Sequence, residues 1–575
     1  MRTGGIFALG IGLVSLGAAH GGTVEQKAFE IPTKYPLSTD KPECPPNNAL
    51  PRPRVAIIGA GASGSSAAYF LSKAREQLIR DGIPGCNAEE IPNDVQITVF
   101  ERNSRVGGRV LAIHPLDDKR YSPIDIGASV FSNINSNLVS AAQKYKLQRT
   151  KHDPVMQSPI GLWDGVEFVI DDFDNSRWSQ WKLYWRYGNG PQKVLNLYVF
   201  DSRRVGKTIQ SFRKIYSPQF LHDPKGRAGY PWPSIADLAQ SLGINPLISQ
   251  GAPGFFEGHK VPELCVNELV NAATRGNYAQ NVNGIHAFAS LVSMAANGAS
   301  GIEGGNAQIF EHMLNDSNAT VQQGVSGDVT GIMKVQTESL PHVPSTTRWR
   351  VGTRDGHSDI FDAVLIATPW HNSHITLLNT EKSVPNFQFQ RLVATLVVTD
   401  AVQPNPKYFG YDSSFQRVPR VIVTSSGKDQ DKEPEFLSLS YLRILPNAHY
   451  MGRQWDKLYL VKLFSRSPLS PKTLEKMFGN GEIVWTHEKV WPAFPVLSPT
   501  ESLHDFEVDS NLYNINAMER AISTMETSTV AAKNVVGLIL QKWLGTRFIH
   551  GWRCKWTSRP PNTIPQWDTW GCLSS

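Results

Sequence analysis

Three glycines, Gly59, Gly61 and Gly64, stand as GxGxxG between a short apolar run, Val55 to Ile58, and a stretch of small residues from Ser63 to Leu71. That spacing can hold a dinucleotide. The first glycine admits a tight turn, the second lets backbone approach a pyrophosphate, and the third lets a helix pack closely on the preceding strand. The unpaired amides and the dipole at the helix start, beside Ser63, suit phosphate charge. An acid is then needed for the adenosine ribose hydroxyls, and Glu101 supplies it at the end of the alternating run Val95 to Phe100. It comes later than the roughly 20 residues usual after the motif. The Gly, Pro and Asn content of Asp81 to Asn93 marks a loop excursion that accounts for the delay. Arg102 follows, and Asn103-Ser-Arg-Val-Gly-Gly-Arg109 then places Gly107, Gly108 and Arg109 where a second loop can lie along the phosphates.

Positioning these groups requires strands buried on both faces of a parallel sheet, because Val55 to Ile58 is apolar throughout. The fold class is therefore α/β, a Rossmann-type dinucleotide domain. Tyr121 to Phe131, YSPIDIGASVF, ends a strand in Gly127, Ala128 and Ser129, small residues that let backbone sit close to a flat ring system. The buried run in FDAVLIATP returns the chain to the same domain and brings Ala367 and Thr368 to the phosphates. Between them, from about Leu138 to Ile248, the chain is rich in Trp, Tyr and Phe. Trp178 to Tyr187 reads either as aromatic lining of an apolar tunnel or as the core of a helical cap; Val205 to Tyr216 is helical in pattern. Pro262 to Tyr278 reads as a helix and a polar turn, followed by the glycine pair of Gly301-Ile-Glu-Gly-Gly-Asn306.

At 575 residues with 41% hydrophobic content, the chain can bury a large core in two or more domains. The net charge of +6 is dispersed, with no Lys/Arg block of the kind that tracks nucleic acid. Met1 to His20 has the layout of a signal peptide, so the mature chain is expected to carry no integral membrane segment and to enter the secretory pathway, for secretion or for a vacuolar or lysosomal lumen. The five cysteines show no metal-ligand spacing, and Cys554 with Cys572 is the most plausible local disulfide. Asn315 and Asn318 open adjacent glycosylation sequons in a polar stretch expected to be a surface loop.

A strand-end Glu101 followed by R-x-G-G-R resembles the FAD-dependent oxidase superfamily. Over about residues 54 to 545 the chain more specifically resembles prenylcysteine oxidases, also called prenylcysteine lyases. The stretches that carry this are VAIIGAGASGSSAAYFL, the WRYG at Trp185 to Gly188, RGNYAQNVNGIHAFASLVS, GIEGGN, VLIATP, and the run from Val490-Trp-Pro-Ala-Phe-Pro495 to Ser523-Thr-Met-Glu-Thr-Ser528. The resemblance implies an FAD domain of the glutathione-reductase/amine-oxidase type with an inserted α+β substrate domain. Its segments would be a signal peptide at 1–20, a leader at 21–53, FAD-binding parts at 54–137, 261–370 and 486–545, substrate parts at 138–260 and 371–485, and a tail at 546–575. It places Glu519 on the ribityl-diphosphate, with Met525 and Glu526 offering backbone amides to the flavin ring. The implied chemistry is hydride abstraction from the allylic carbon beside sulfur in a prenylcysteine. Capture of water and collapse then release prenyl aldehyde and cysteine, and oxygen is reduced to hydrogen peroxide. No catalytic triad is needed, and His286 and Glu303 stand as candidates for positioning water or moving a proton, or for structural hydrogen bonding. An oxidative cyclase or desaturase acting on a prenylated small molecule in terpenoid biosynthesis, an amine oxidase, and a flavin-fold binding protein without catalysis are the alternatives.

Overall fold

The structure, a computed structural model, describes residues 53–83, 95–150, 159–174, 176–198, 214–216, 221, 229–295, 299–336, 347–413, 415–426, 433–479, 481–550 and 567–570. The expected signal peptide, most of the leader, the loop excursion from residue 84, residues 205–213 of the expected helix, and Cys554 with Cys572 lie outside them.

A six-stranded sheet carries the dinucleotide motif. Its order is Glu507–Asp509, Leu512–Asn514, Ala363–Ile366, Arg54–Ile58, Gln96–Glu101, Thr320–Gln323, parallel except at the first pair. Strand alternation explains why Val55 to Ile58 is apolar throughout. Val55 and Ile57 pack with Val99 and Leu365 into the core under the helices, while Ala56 and Ile58 pack on the opposite side with Trp349, Val351 and Phe361. The helix side is built from Ala62–Asp81, Ala307–Asp316 and Met525–Leu544. The other side is covered by a four-stranded sheet, Ser358–Phe361, Thr347–Thr353, Val329–Gln336 and Thr376–Leu378. The first helix runs on to Asp81, well beyond Leu71.

A seven-stranded sheet forms the second body, in the order Ile483–Pro495, Phe389–Thr399, Arg453–Ser465, Ser438–Tyr450, Val421–Thr424, Ile160–Trp163, Phe168–Phe173. One face, with Val397, Leu439 and Val461, is closed by the helix Pro471–Phe478 through Leu474, Met477 and Phe478. The opposite face presents Leu392, Ala394, Leu396, Phe464 and Trp491 toward the first domain. The strand Ile483–Pro495 belongs wholly to this sheet and runs across the 485/486 boundary read from the sequence.

The aromatic segment forms the helix Arg177–Tyr187. Ser179, Leu183 and Tyr187 point inward, which leaves Trp178, Trp181, Tyr184 and Trp185 exposed on the outer face. Neither the tunnel nor the core reading holds for these four. The tail, where described, docks on the first helix. Trp567 stacks on Tyr69 with ring centroids 5.3 Å apart, and Trp570 is buried, its backbone exchanging hydrogen bonds of 2.6 and 2.9 Å with the Gln77 side chain. Asn315 lies in the last turn of the helix Ala307–Asp316, not in the expected loop, and Asn318 lies in the turn that follows; both are exposed.

Candidate active site

A cavity of about 550 Å³ lies between the carboxyl ends of the parallel strands and the apolar face of the seven-stranded sheet. This is where ligands bind in open α/β folds. Gly59, Gly61, Ser63, Glu101, Arg102, Gly107, Gly108, Arg109, Gly127, Ala128, Ser129, Ala367, Thr368, Met525 and Glu526 all line it. Residues distant in sequence are thus brought to one wall by the strand order.

The glycine loops fit a dinucleotide by contact and by conformation. Gly61 and Gly107 meet in an isolated parallel bridge, and the Gly107 amide donates to the Ala60 carbonyl at 2.9 Å. Two backbones without side chains therefore meet at the cavity wall. Gly59 has φ of +106°, and a Cβ there would come within 2.9 Å of the Ala367 carbonyl oxygen. Gly64 does not line the cavity. A Cβ on it would sit 1.8 Å from the Gly59 carbonyl oxygen, so its glycine serves helix-to-strand packing. Glu101 is 5% exposed and accepts from the Ala60 amide at 2.9 Å and from the Asn103 amide and side chain at 2.9 and 2.6 Å. Its remaining lone pairs are available to ribose hydroxyls. No acid occupies the first turn of Ala62–Asp81, so its amides remain free for phosphate.

The ring end is framed by Gly127 to Ser129 and by the start of the helix Met525–Leu544. A Cβ at Gly127 would lie 2.0 Å from the Arg109 carbonyl oxygen and 2.5 Å from the Trp491 ring. That glycine is therefore demanded by the loop and the tryptophan. Ser129 Oγ donates to the Gly127 carbonyl at 2.7 Å and accepts from the buried Lys462 ammonium at 2.8 Å. Burial pushes Lys462 down to about 8 and Asp125, whose backbone carbonyl it also approaches, up to about 7. GIEGGN stands behind this loop. The Asn306 amide donates to Asp125 Oδ2 at 3.1 Å and its side chain donates to the Ala128 carbonyl at 2.9 Å. At the helix start, Thr524 and Thr527 form a reciprocal capping box that leaves the amides of Met525 and Glu526 at the wall.

Glu519 stands behind Arg109, outside the wall. Its carboxylate is 4% exposed and is held by Arg109 at 2.6 Å and by Ser523 Oγ at 3.1 Å. A buried carboxylate takes the adjacent guanidinium before any ligand group. The Glu526 side chain turns to the start of the helix Ser136–Lys144, where it accepts from the Asn137 and Leu138 amides at 2.8 and 3.0 Å and from Tyr216 at 2.6 Å. Burial pushes it up to about 7.

His286 and Glu303 also stand apart from the cavity. His286 is buried; its Nδ1 accepts the Ala289 amide at 3.1 Å and caps the helix Ala287–Met294. Burial and the nearby Arg520 lower it to about 3, so it stays neutral at working pH. Glu303 is exposed. Wall residues not singled out from the sequence include Ile134, Leu138, Val292, Leu392, Phe464 and Lys489. Alternation along the strands carrying Leu392 and Phe464 would have marked them as apolar, but not which sheet face meets the cofactor domain.

The family model for prenylcysteine lyase matches residues 170–548. The chain belongs to the prenylcysteine lyase family. A second model, an NAD(P)-binding Rossmann-like domain, matches residues 57–144 around the glycine motif. Within the family, farnesylcysteine lyase of Arabidopsis thaliana is 28% identical over 505 residues, covering 85% of this chain and 88% of that protein. Prenylcysteine oxidase 1 of Homo sapiens is 27% identical over 519 residues, covering 87% and 92%. Among solved structures, cyclohexylamine oxidase from Brevibacterium oxydans IH-35A is 14% identical with a TM-score of 0.47, covering 85% of this chain and 99% of that one. The glycine cradle, the buried Glu101 and the second glycine loop fit a dinucleotide, and FAD is the cofactor of this family member.

Proposed function

We propose that this chain is an FAD-dependent oxidase of prenylated cysteine, converting it to prenyl aldehyde and cysteine with oxygen reduced to hydrogen peroxide. The observation that carries this reading is one cavity in which a dinucleotide cradle is continuous with apolar walls. Ile134, Leu138 and Val292 line it, as do Leu392, Phe464 and Trp491. Among the described lining residues there is no histidine or cysteine to serve as nucleophile or general base. When bound, FAD supplies the hydride acceptor for the allylic carbon beside sulfur and passes the electron pair on to oxygen.

The protein's own share is orientation and exclusion of water. The glycine bridge at Gly61 and Gly107 would hold the phosphates and Glu101 the ribose, and the packed loop Gly127–Ser129 would border the ring. The amides of Met525 and Glu526 lie at the positive end of a 20-residue helix and favour negative charge at the adjoining edge of the site. The apolar walls hold the prenyl chain dry. The names of the relatives favour a thioether over a prenylated metabolite as substrate. Incubation with S-farnesylcysteine in air should yield farnesal, cysteine and peroxide in equal amounts; farnesylcysteine recovered intact would overturn the proposal.

We further propose that the chain works in a secretory or lysosomal/vacuolar lumen as a glycoprotein. The layout of Met1 to His20 and the exposure of Asn315 and Asn318 support this. A mass shift on glycosidase treatment that vanishes in Asn315→Gln/Asn318→Gln would bear it out.

A further inference from the structure

Register in the seven-stranded sheet places Leu392 opposite Trp491 and Ala394 opposite both Lys489 and Phe464. These five side chains therefore share the face that closes the cavity. Leu392, Ala394, Phe464 and Trp491 are buried, whereas Lys489 is exposed and still lines the cavity. A side chain that lines the cavity and is exposed to solvent as well marks this strand segment as the mouth. Lys489 thus puts an ammonium on the rim of this face. The other ammonium of the face, Lys462 opposite Leu396, is buried and donates to Ser129 Oγ and the Asp125 carbonyl, whereas among the described residues Lys489 makes no ion pair. The arginines on the wall are committed elsewhere. Arg102 donates to the Asn372 carbonyl, Arg105 to that of Gly108, and Arg109 is paired with Glu519.

We propose that Lys489 recognises the carboxylate of the cysteine head group, so that substrate enters prenyl chain first and stops with its zwitterionic end at the mouth. The inference rests on the oxidase reading above. A zwitterion cannot be buried unpaired, whereas the prenyl chain gains by burial. The head group therefore stays at the rim while the allylic carbon passes inside. An ammonium on a flexible four-carbon stem reaches a carboxylate there as a point charge. Lys489 is thus a specificity residue for free acids over esters.

The test compares S-farnesylcysteine with its methyl ester on wild type, Lys489→Met and Lys489→Arg. The expected result is a KM for the acid raised about fivefold or more in Lys489→Met, the size of a partly exposed charge-assisted contact. The acid-over-ester preference should fall by the same factor, and Lys489→Arg should restore it. An acid-to-ester ratio unchanged in Lys489→Met would overturn the proposal. S-Dodecylcysteine, which has no allylic hydrogen, separates this from the oxidase reading. Its Kd, followed by perturbation of the flavin spectrum, should rise in Lys489→Met while that of its methyl ester does not, whether or not farnesylcysteine is oxidised. Equal shifts for both would count against Lys489, and failure of wild type to oxidise farnesylcysteine would count against the oxidase reading alone.

Discussion

Gly61 and Gly64 belong to one motif and answer to different constraints. A Cβ on Gly61 would meet only Gly108 Cα at 3.8 Å and the Gly107 carbonyl oxygen at 3.9 Å, ordinary contacts, so the polypeptide tolerates alanine there. Gly61→Ala should fold with a near-wild-type melting temperature yet purify with little FAD, because the added methyl stands where the pyrophosphate must approach. Gly64→Ala forces an overlap within the protein itself and should fail to yield folded protein. Full flavin content in Gly61→Ala would contradict the cofactor placement. His286 makes a second case. Its pKa is lowered to about 3, so the folded state binds fewer protons than the unfolded state between about pH 3 and 6.5; the stability it contributes is present at neutral pH and is lost as pH falls. His286→Asn keeps an acceptor for the Ala289 amide and removes the titration. Denaturation at pH 7 and pH 5 should show wild type losing about 2 kcal/mol more than the variant; equal losses would place His286 in a solvated setting. Residue types could nominate His286 but not show that its ring nitrogen is consumed by a helix start, outside the cavity lining.

At the scale of elements, the loop ending in Arg109 is locked to the turn Ile515–Arg520 by the Arg109–Glu519 pair. Arg109→Met takes the paired guanidinium away from the buried Glu519 carboxylate, at a cost of about 3–5 kcal/mol. Adding Glu519→Gln should recover a substantial part of it, which denaturant midpoints of the two variants will show. Additive losses would mean that the two residues do not act together. The strands were legible wherever both faces are buried, as at Val55 to Ile58 and in VLIATP, because an apolar run between turn residues has few other places to go. The helix Arg177–Tyr187 was not legible in the same way. Its aromatic residues occupy both faces, and only packing reveals that Leu183 and Tyr187 are inside while Trp178, Trp181 and Trp185 are outside. Glu526 shows the same limit. Its place at a helix start was readable, but the turn of its side chain onto a second helix start, at Asn137, depends on a contact across the chain.

For the molecule as a whole, two sheets border one cavity, the first bringing the glycine loops and Glu101 to its wall and the second a face with Leu392, Phe464 and Trp491. The cofactor half was legible because its spacing rules are local: GxGxxG, Glu101 and the Gly107–Gly108 pair each lie within a few residues of a strand end. The substrate half was not, since Leu392, Phe464 and Trp491 meet only through the register of long antiparallel strands. In the proposed reaction the two halves act together: the second sheet would hold the prenyl thioether, and the first would hold the FAD that supplies the hydride acceptor. Anaerobic mixing of the purified FAD-loaded protein with S-farnesylcysteine tests it most directly. The oxidised flavin absorbance should fall rapidly and, on admission of air, return with release of one equivalent of peroxide. A protein that keeps its oxidised FAD spectrum unchanged through that mixing would contradict it.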